Sequence, residues 1–200
     1  MTTIYSQKTR PSLAPFFASR ARETVLRVVL LDPLRAYYQR QLETATGLPI
    51  RAVQRELERL SEGGLLYRWA EGNRTYYHVD LDFPLFPELR QLVLKCSNDI
   101  EVLRGMAALD EAVRLCFLSG GRNRALVVSR AEKIATFEAP ASIAVTAMSC
   151  EIFGRALAEK QELLEAFLKE GVDVLGRRDD VLWRHIEAAG YAVPKGEGVP

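Results

Sequence analysis

The stretch AVQRELERLSEGGLLYRWAEGNRTYYHV, residues 52–79, restricts the fold more than any other part of the chain. It begins with Val53, Leu57 and Leu60, apolar residues three and four apart that make one buried stripe on a helix. Gly63-Gly64 closes that helix. The alternating run LLYRWA then leads through Glu71-Gly72-Asn73-Arg74 into TYYHV, two strands around a tight turn where Gly and Asn both tolerate positive φ. A helix that runs straight into a hairpin must pack with it locally.

The residues upstream supply what the helix packs on. SRARETVLRVVLLDP places Ser19 as an N-cap and Val25, Leu26, Val29 and Leu30 on one face, and Asp32-Pro33 stops the helix. AYYQRQLETATGLP predicts a short helix with Tyr38, Leu42 and Ala45 spaced three and four apart, ending at Gly47. Pro49 opens the next helix, so two helices joined through TGLP predict a helix-turn-helix.

With Val53, Leu57 and Leu60 turned inward, Ile50, Arg51, Gln54, Arg55 and Glu58 face out. Arg forks two hydrogen bonds onto a guanine edge and Gln does the same for adenine, so these types on the first turns of a second helix suit major-groove reading. The helix alone leaves a second reading open, in which Arg51 and Arg55 belong to a solvated face and pair with Glu58. The hairpin adds Arg68, Asn73 and Arg74 near its tip, within reach of a phosphate backbone or a minor groove. Its aromatic residues Tyr67, Trp69, Tyr76 and Tyr77 are expected mostly to pack the hairpin onto the helices, with base stacking as the alternative. Charge agrees with an anionic partner: residues 1–79 hold twelve Lys and Arg against seven Asp and Glu, and the rest holds fifteen against nineteen.

The sequence from Ala36 to Val93, with its VQRELERL, GGLL and GNRTYY core and the PLFPEL run behind it, resembles the winged-helix domain of ArsR-like transcription regulators. The resemblance implies a homodimer that sets two recognition helices into successive major grooves of palindromic double-stranded DNA. It also implies that helices flanking the helix-turn-helix form the dimer interface. FPELRQLVLK, with Leu85, Leu89, Leu92 and Val93 apolar, suits that role or an ordinary core helix. Many ArsR-like proteins sense metals, but here His78 and His185 stand alone, the three cysteines are scattered and RQLETATG lacks a thiolate pair. No metal and no cofactor are expected, since thiophilic ions want several soft ligands.

Behind Cys96 the pattern changes. SNDIEVLRGMAALDEAV predicts a helix capped by Ser97 or Asn98, VRLCFLSGG a strand, SIAVTAMS a second strand, CEIFGRALAEKQELLEAFLKEG helix in two pieces, VDVLG a short strand and DDVLWRHIEAAGY a last helix. This alternation of strands and helices predicts a boundary near residue 95, with domains at 1–95 and 96–200. The order, with Gly120-Gly121 after the first strand, is similar to the minimal nucleotidyltransferase domains fused behind such winged helices. That resemblance implies glycines that let the backbone approach phosphates and an Asp-x-Asp on the next strand that holds magnesium. The stretch RNRALVVSRAEKIATFEAPASIAV, residues 122–145, has Glu132 and Glu138 as its only acids and no Asp-x-Asp, and SIAVTAM has no acid, so the fold is expected without the activity and the chain is not expected to be an enzyme. Gly120, Gly121, Arg122 and Arg124 are then candidates to hold the phosphate of a nucleotide or another small-molecule effector, against the alternative of a polar turn. A dimerisation or docking role is the other use of such a domain.

No apolar run approaches the roughly 20 residues that span a bilayer. MTTIYSQKTRPSLAPFF lacks the continuous apolar core of a signal peptide, and three cysteines far apart do not make a disulfide framework, so a cytoplasmic protein with no membrane partner is expected. The expected fold class is α+β: an N-terminal winged helix-turn-helix domain followed by a small α/β nucleotidyltransferase-like domain. The expected function is sequence-specific DNA binding in transcription regulation. The alternatives are a nucleotidyltransferase with displaced carboxylates and a winged helix that binds protein.

Overall fold

The computed structural model describes residues 12–130 and 137–200, so Glu132 lies outside the described residues. The architecture is α+β with two small sheets. A short helix α1 (Ala14–Phe17) leads into α2 (Arg20–Leu31), where the Ser19 side chain accepts the N–H of Arg22 and six side chains from Val25 to Leu31 are buried. Each such burial stabilises by roughly 1.5–3 kcal/mol. Around α2 gather α3 (Gln39–Thr46), α4 (Ile50–Glu62) and α5 (Phe86–Lys95).

The connection from α3 to α4 is built by its own residues. Gly47 takes a left-handed φ of 66° and donates its N–H to Glu43 O at 2.9 Å, a conformation in which a Cβ would be strained. The Thr46 hydroxyl accepts the Leu48 N–H at 3.2 Å, and Pro49 stands as the N-cap of α4, where no N–H is needed.

The first sheet has the order β1-β3-β2, with β1 Tyr37–Tyr38, β2 Leu66–Glu71 and β3 Arg74–Val79, all antiparallel. The short helix was expected to contain Tyr38; instead Tyr37 and Tyr38 pair with Tyr77 and Tyr76, and the helix starts at Gln39. The buried Tyr37 hydroxyl donates to Asp32 O at 3.0 Å, which holds the segment extended before α3 can begin.

Only Gly72 of the two loop residues in the hairpin has a positive φ, 58°. The register puts Leu66, Arg68, Tyr77 and Val79 on one face and Tyr67, Trp69, Tyr76, His78 and Arg74 on the other. The first face packs on the helices through Leu66, Tyr77 and Val79. The expectation that most of the four hairpin aromatics pack there is therefore corrected. Only Tyr77 does; Tyr67 (58% exposed) and Trp69 (41%) stand on the outer face, with half-buried Tyr76 between Trp69 and Tyr38.

The second sheet has the order β6-β5-β4-β7: β4 (Val113–Leu118) and β5 (Arg124–Ser129) are antiparallel, β5 and β6 (Ala144–Ser149) parallel, and β7 (Val172–Asp173) antiparallel to β4. One face packs Leu115, Phe117, Leu126 and Val128 under α7 (Cys150–Ala158), α8 (Glu165–Leu168) and α9 (Val181–Ala188). The other packs Cys116, Leu118, Ala125 and Val127 under α6 (Asp99–Leu109). Asn98 caps α6 by accepting the Glu101 N–H at 2.8 Å. Strand β5 was not expected. It follows β4 through a tight turn at residues 119–123, and SIAVTAMS is the third strand of the sheet rather than the second.

Helix α6 also touches the first sheet's helices. The space beside Gly105 is filled by Leu94 and Leu31, and a Cβ there would come within 2.9 Å of Leu94. Arg90 donates to Gly105 O at 2.7 Å, and Arg35 donates to Leu175 O at 3.0 Å and Gly176 O at 3.2 Å.

Candidate nucleic-acid interface

Helix α4 owes its orientation to a buried carboxylate. Glu56, 3% exposed, accepts from Arg22 Nε at 2.9 Å, from Arg59 Nη1 at 3.2 Å and from Ser19 Oγ at 3.5 Å, which pins the middle of α4 to the start of α2. With Val53, Glu56 and Leu57 buried, Arg51, Arg55 and Glu58 are exposed on the opposite side and Ile50 and Gln54 are half-buried. Among the described residues neither Arg51 nor Arg55 forms an ion pair, so the pairing with Glu58 that the helix left open does not occur.

Gln54 is engaged. Its side-chain amide donates to Gln39 Oε1 at 3.0 Å, and Gln39 in turn donates to the Tyr77 hydroxyl at 3.4 Å. Gln54 keeps an acceptor oxygen and one N–H for another partner. Gln39 itself was not anticipated: its contact with Gln54 spans the turn between two helices, and nothing local in QRQLETATG signals it.

The hairpin residues Arg68, Asn73 and Arg74 are all exposed. Arg68 lies on the face shared with Tyr77, toward the side of the helices, and Arg74 on the other face. The Arg74 guanidinium lies 4.8 Å from the Tyr38 ring centroid. Among the described residues Arg51, Arg55 and Arg68 thus carry positive charge without an ion pair on the side of α4, whereas Arg74 turns away from it.

The turn at residues 119–124 does not converge on one point. Gly120 lacks a side chain because a Cβ would sit 2.9 Å from Glu170 O, a packing reason rather than an approach for phosphate. Arg122, with a left-handed φ of 57°, lines a cavity of about 630 Å³ on the α6 side of the second sheet, beside Leu118 and Val174. Arg124 lies over the Phe167 ring at 5.4 Å, on the α8 side. Gly121 is exposed between them.

Other chemistry is sparse. Among the described residues no three His, Cys, Asp or Glu cluster as a metal site, and no helix is long and apolar enough to cross a membrane. Burial pushes the Cys116 thiol far above its ordinary range, with the charge of Asp173 adding to the effect, so it is inert. No family model matches this chain, and neither the curated proteins nor the solved structures contain a match to it.

Proposed function

We propose that the chain is a sequence-specific, DNA-binding transcription regulator that acts as a homodimer of winged helix-turn-helix domains. The observation that carries the reading is the exposed face of α4, where Arg51 and Arg55 stand on the first two turns with no acidic partner among the described residues. Guanidinium groups so placed suit the N7 and O6 acceptors of guanine. Arg68, on the α4 side of the hairpin, suits a backbone phosphate. Dimerisation is supported by α5 and its N-cap residue Leu85: Leu85 (56% exposed) and Leu92 (45%), seven residues apart, leave apolar surface uncovered while Val93 is buried.

Residues 96–200 are read as a nucleotidyltransferase-like domain without catalysis, serving an effector or the dimer. Neither β5, RALVVS, nor β6, AVTAMS, carries an acid that holds magnesium. Selection of bound duplexes from a randomised library at near-physiological salt, with the Arg51→Ala/Arg55→Ala variant alongside, tests the reading. A two-fold-symmetric motif that disappears in the variant is the expected result; no enrichment with the wild-type chain would overturn it.

A further inference from the structure

The outer face of the first sheet is not open to solvent throughout. Across it stands the loop of residues 176–181 that leads from β7 into α9, and the two enclose a cleft of about 870 Å³. One wall is aromatic: Tyr76 is stacked on Trp69 with centroids 5.6 Å apart and meets Tyr38 edge-on at 6.0 Å. Both Tyr38 and Tyr76 line the cleft.

The other feature of the cleft is its charge. Six cations line it, Arg35, Arg74, Arg114, Arg177, Arg178 and Lys195. The carboxylates that answer them are Asp32, Asp179 and Asp180 in the lining and Asp173 just behind it. Arg114 pairs with Asp180 at 2.6 Å, Arg178 Nε lies 3.1 Å from Asp173, and Arg35 lies 3.8 Å from Asp32. Arg177 is spent on two carbonyls, those of Val113 and Ala108, and among the described residues neither Arg177 nor Arg74 forms an ion pair. Burial lowers the Lys195 ammonium below its ordinary range, the charges of Arg35 and Arg178 lower it further and Asp173 opposes them, while the ammonium donates to Pro200 O.

We infer that this cleft is a binding site for a nucleoside monophosphate. Two observations meet in it: a cationic surplus that suits a phosphate, and an aromatic wall that suits a planar base. The volume is within the range of small-ligand pockets, roughly 300–1,000 Å³. Arg74 joins the two halves. Its guanidinium occupies the space over the Tyr38 ring, and a phosphate that draws it toward Lys195 and Arg178 frees that ring face for the base. The site differs from the turn at Gly120 and Gly121 and involves neither Arg122 nor Arg124.

Occupancy would clamp the hairpin to the loop of residues 176–181. Tyr38 is also the N-cap of α3, so the ligand would load the start of the helix that precedes α4. Any effect on DNA rests on the function proposed above; the binding itself does not.

Titration calorimetry on the full chain without DNA separates the two. Adenosine 5′-monophosphate is the probe, with ribose 5-phosphate and inorganic phosphate as controls, at near-physiological salt. The expected result is saturable binding of the nucleotide at least tenfold tighter than either control, weakened tenfold or more in Arg74→Gln and in Tyr76→Leu, with melting temperatures of both variants checked. Absence of saturation at millimolar nucleotide would overturn the proposal. Equal binding of inorganic phosphate would overturn it in favour of a plain anion site, and much tighter binding of a short single-stranded oligonucleotide would overturn it in favour of a strand-binding surface.

Discussion

Arg22 Nε and Glu56 Oε2 lie 2.9 Å apart, with the Glu56 side chain almost wholly buried between α2 and α4. A buried carboxylate held by two guanidinium groups and a hydroxyl is sensitive to loss of its partner, which leaves charge uncompensated. Arg22→Ala is therefore expected to cost about 3 kcal/mol in urea denaturation. Arg59→Ala, whose side chain is half exposed, is expected to cost under about 1 kcal/mol. Equal costs would show that Arg59 fixes α4 as much as Arg22 does.

The outward face of α4 makes a graded prediction about DNA. Arg51→Ala and Arg55→Ala are each expected to weaken a preferred duplex by about 1–3 kcal/mol and to relax preference at one base pair. Arg68→Ala is expected to weaken all duplexes alike and to reduce the slope of log affinity against log salt by about 1. Arg74, turned over Tyr38 on the opposite face, is expected to change that slope less than Arg68 does. Fluorescence anisotropy across a salt series reads all four variants.

The helices were legible because their signals are local. Ser19 caps α2, Gly47 and Pro49 bracket the turn, and Gly63 ends α4, each within a few residues of the apolar stripe it bounds. The strands were less so. β5 is apolar on both faces between two layers of helix, so ALVVS shows no alternation to mark it, and Tyr37-Tyr38 is a strand only because Tyr77 and Tyr76 lie beside it. The aromatic face is hidden from the sequence for a similar reason. Whether Tyr76 or Tyr77 faces the helices depends on register, and composition does not carry register. The cleft unites Arg35, Arg74 and Arg178, residues that only the tertiary fold brings together.

Leu85 and Leu92 offer a test of assembly that does not depend on DNA. Both are exposed, so their replacement removes little from the core. Leu85→Glu/Leu92→Glu is expected to sediment as a monomer with a melting temperature within a few degrees of a monomeric reference, whereas the wild-type chain sediments as a dimer. Dimers in both would move the interface elsewhere.

Two buried acids give the chain an unusual response to pH. Burial raises the Asp32 and Asp173 carboxyls above the ordinary range, against Arg104, Arg177 and Arg35 for Asp32 and against the Gly176 N–H and Arg178 for Asp173. A folded pKa above the unfolded value of about 3.9 means that the folded state holds the proton more tightly. The resulting stabilisation is fully present below the unfolded value and is lost as pH rises through the folded one. Asp173→Asn keeps a carbonyl oxygen to accept the N–H groups of Leu175 and Gly176, bonds now 3.0 and 2.9 Å long, and removes the titration. The stability of the wild-type chain minus that of Asp173→Asn is therefore expected to fall as pH rises from about 4 toward neutrality, then to level off. Urea denaturation of both proteins across that range measures the difference. A difference that grows with pH would mean that Arg178 and the backbone N–H groups outweigh burial, and that the ionised carboxylate stabilises the β7 loop.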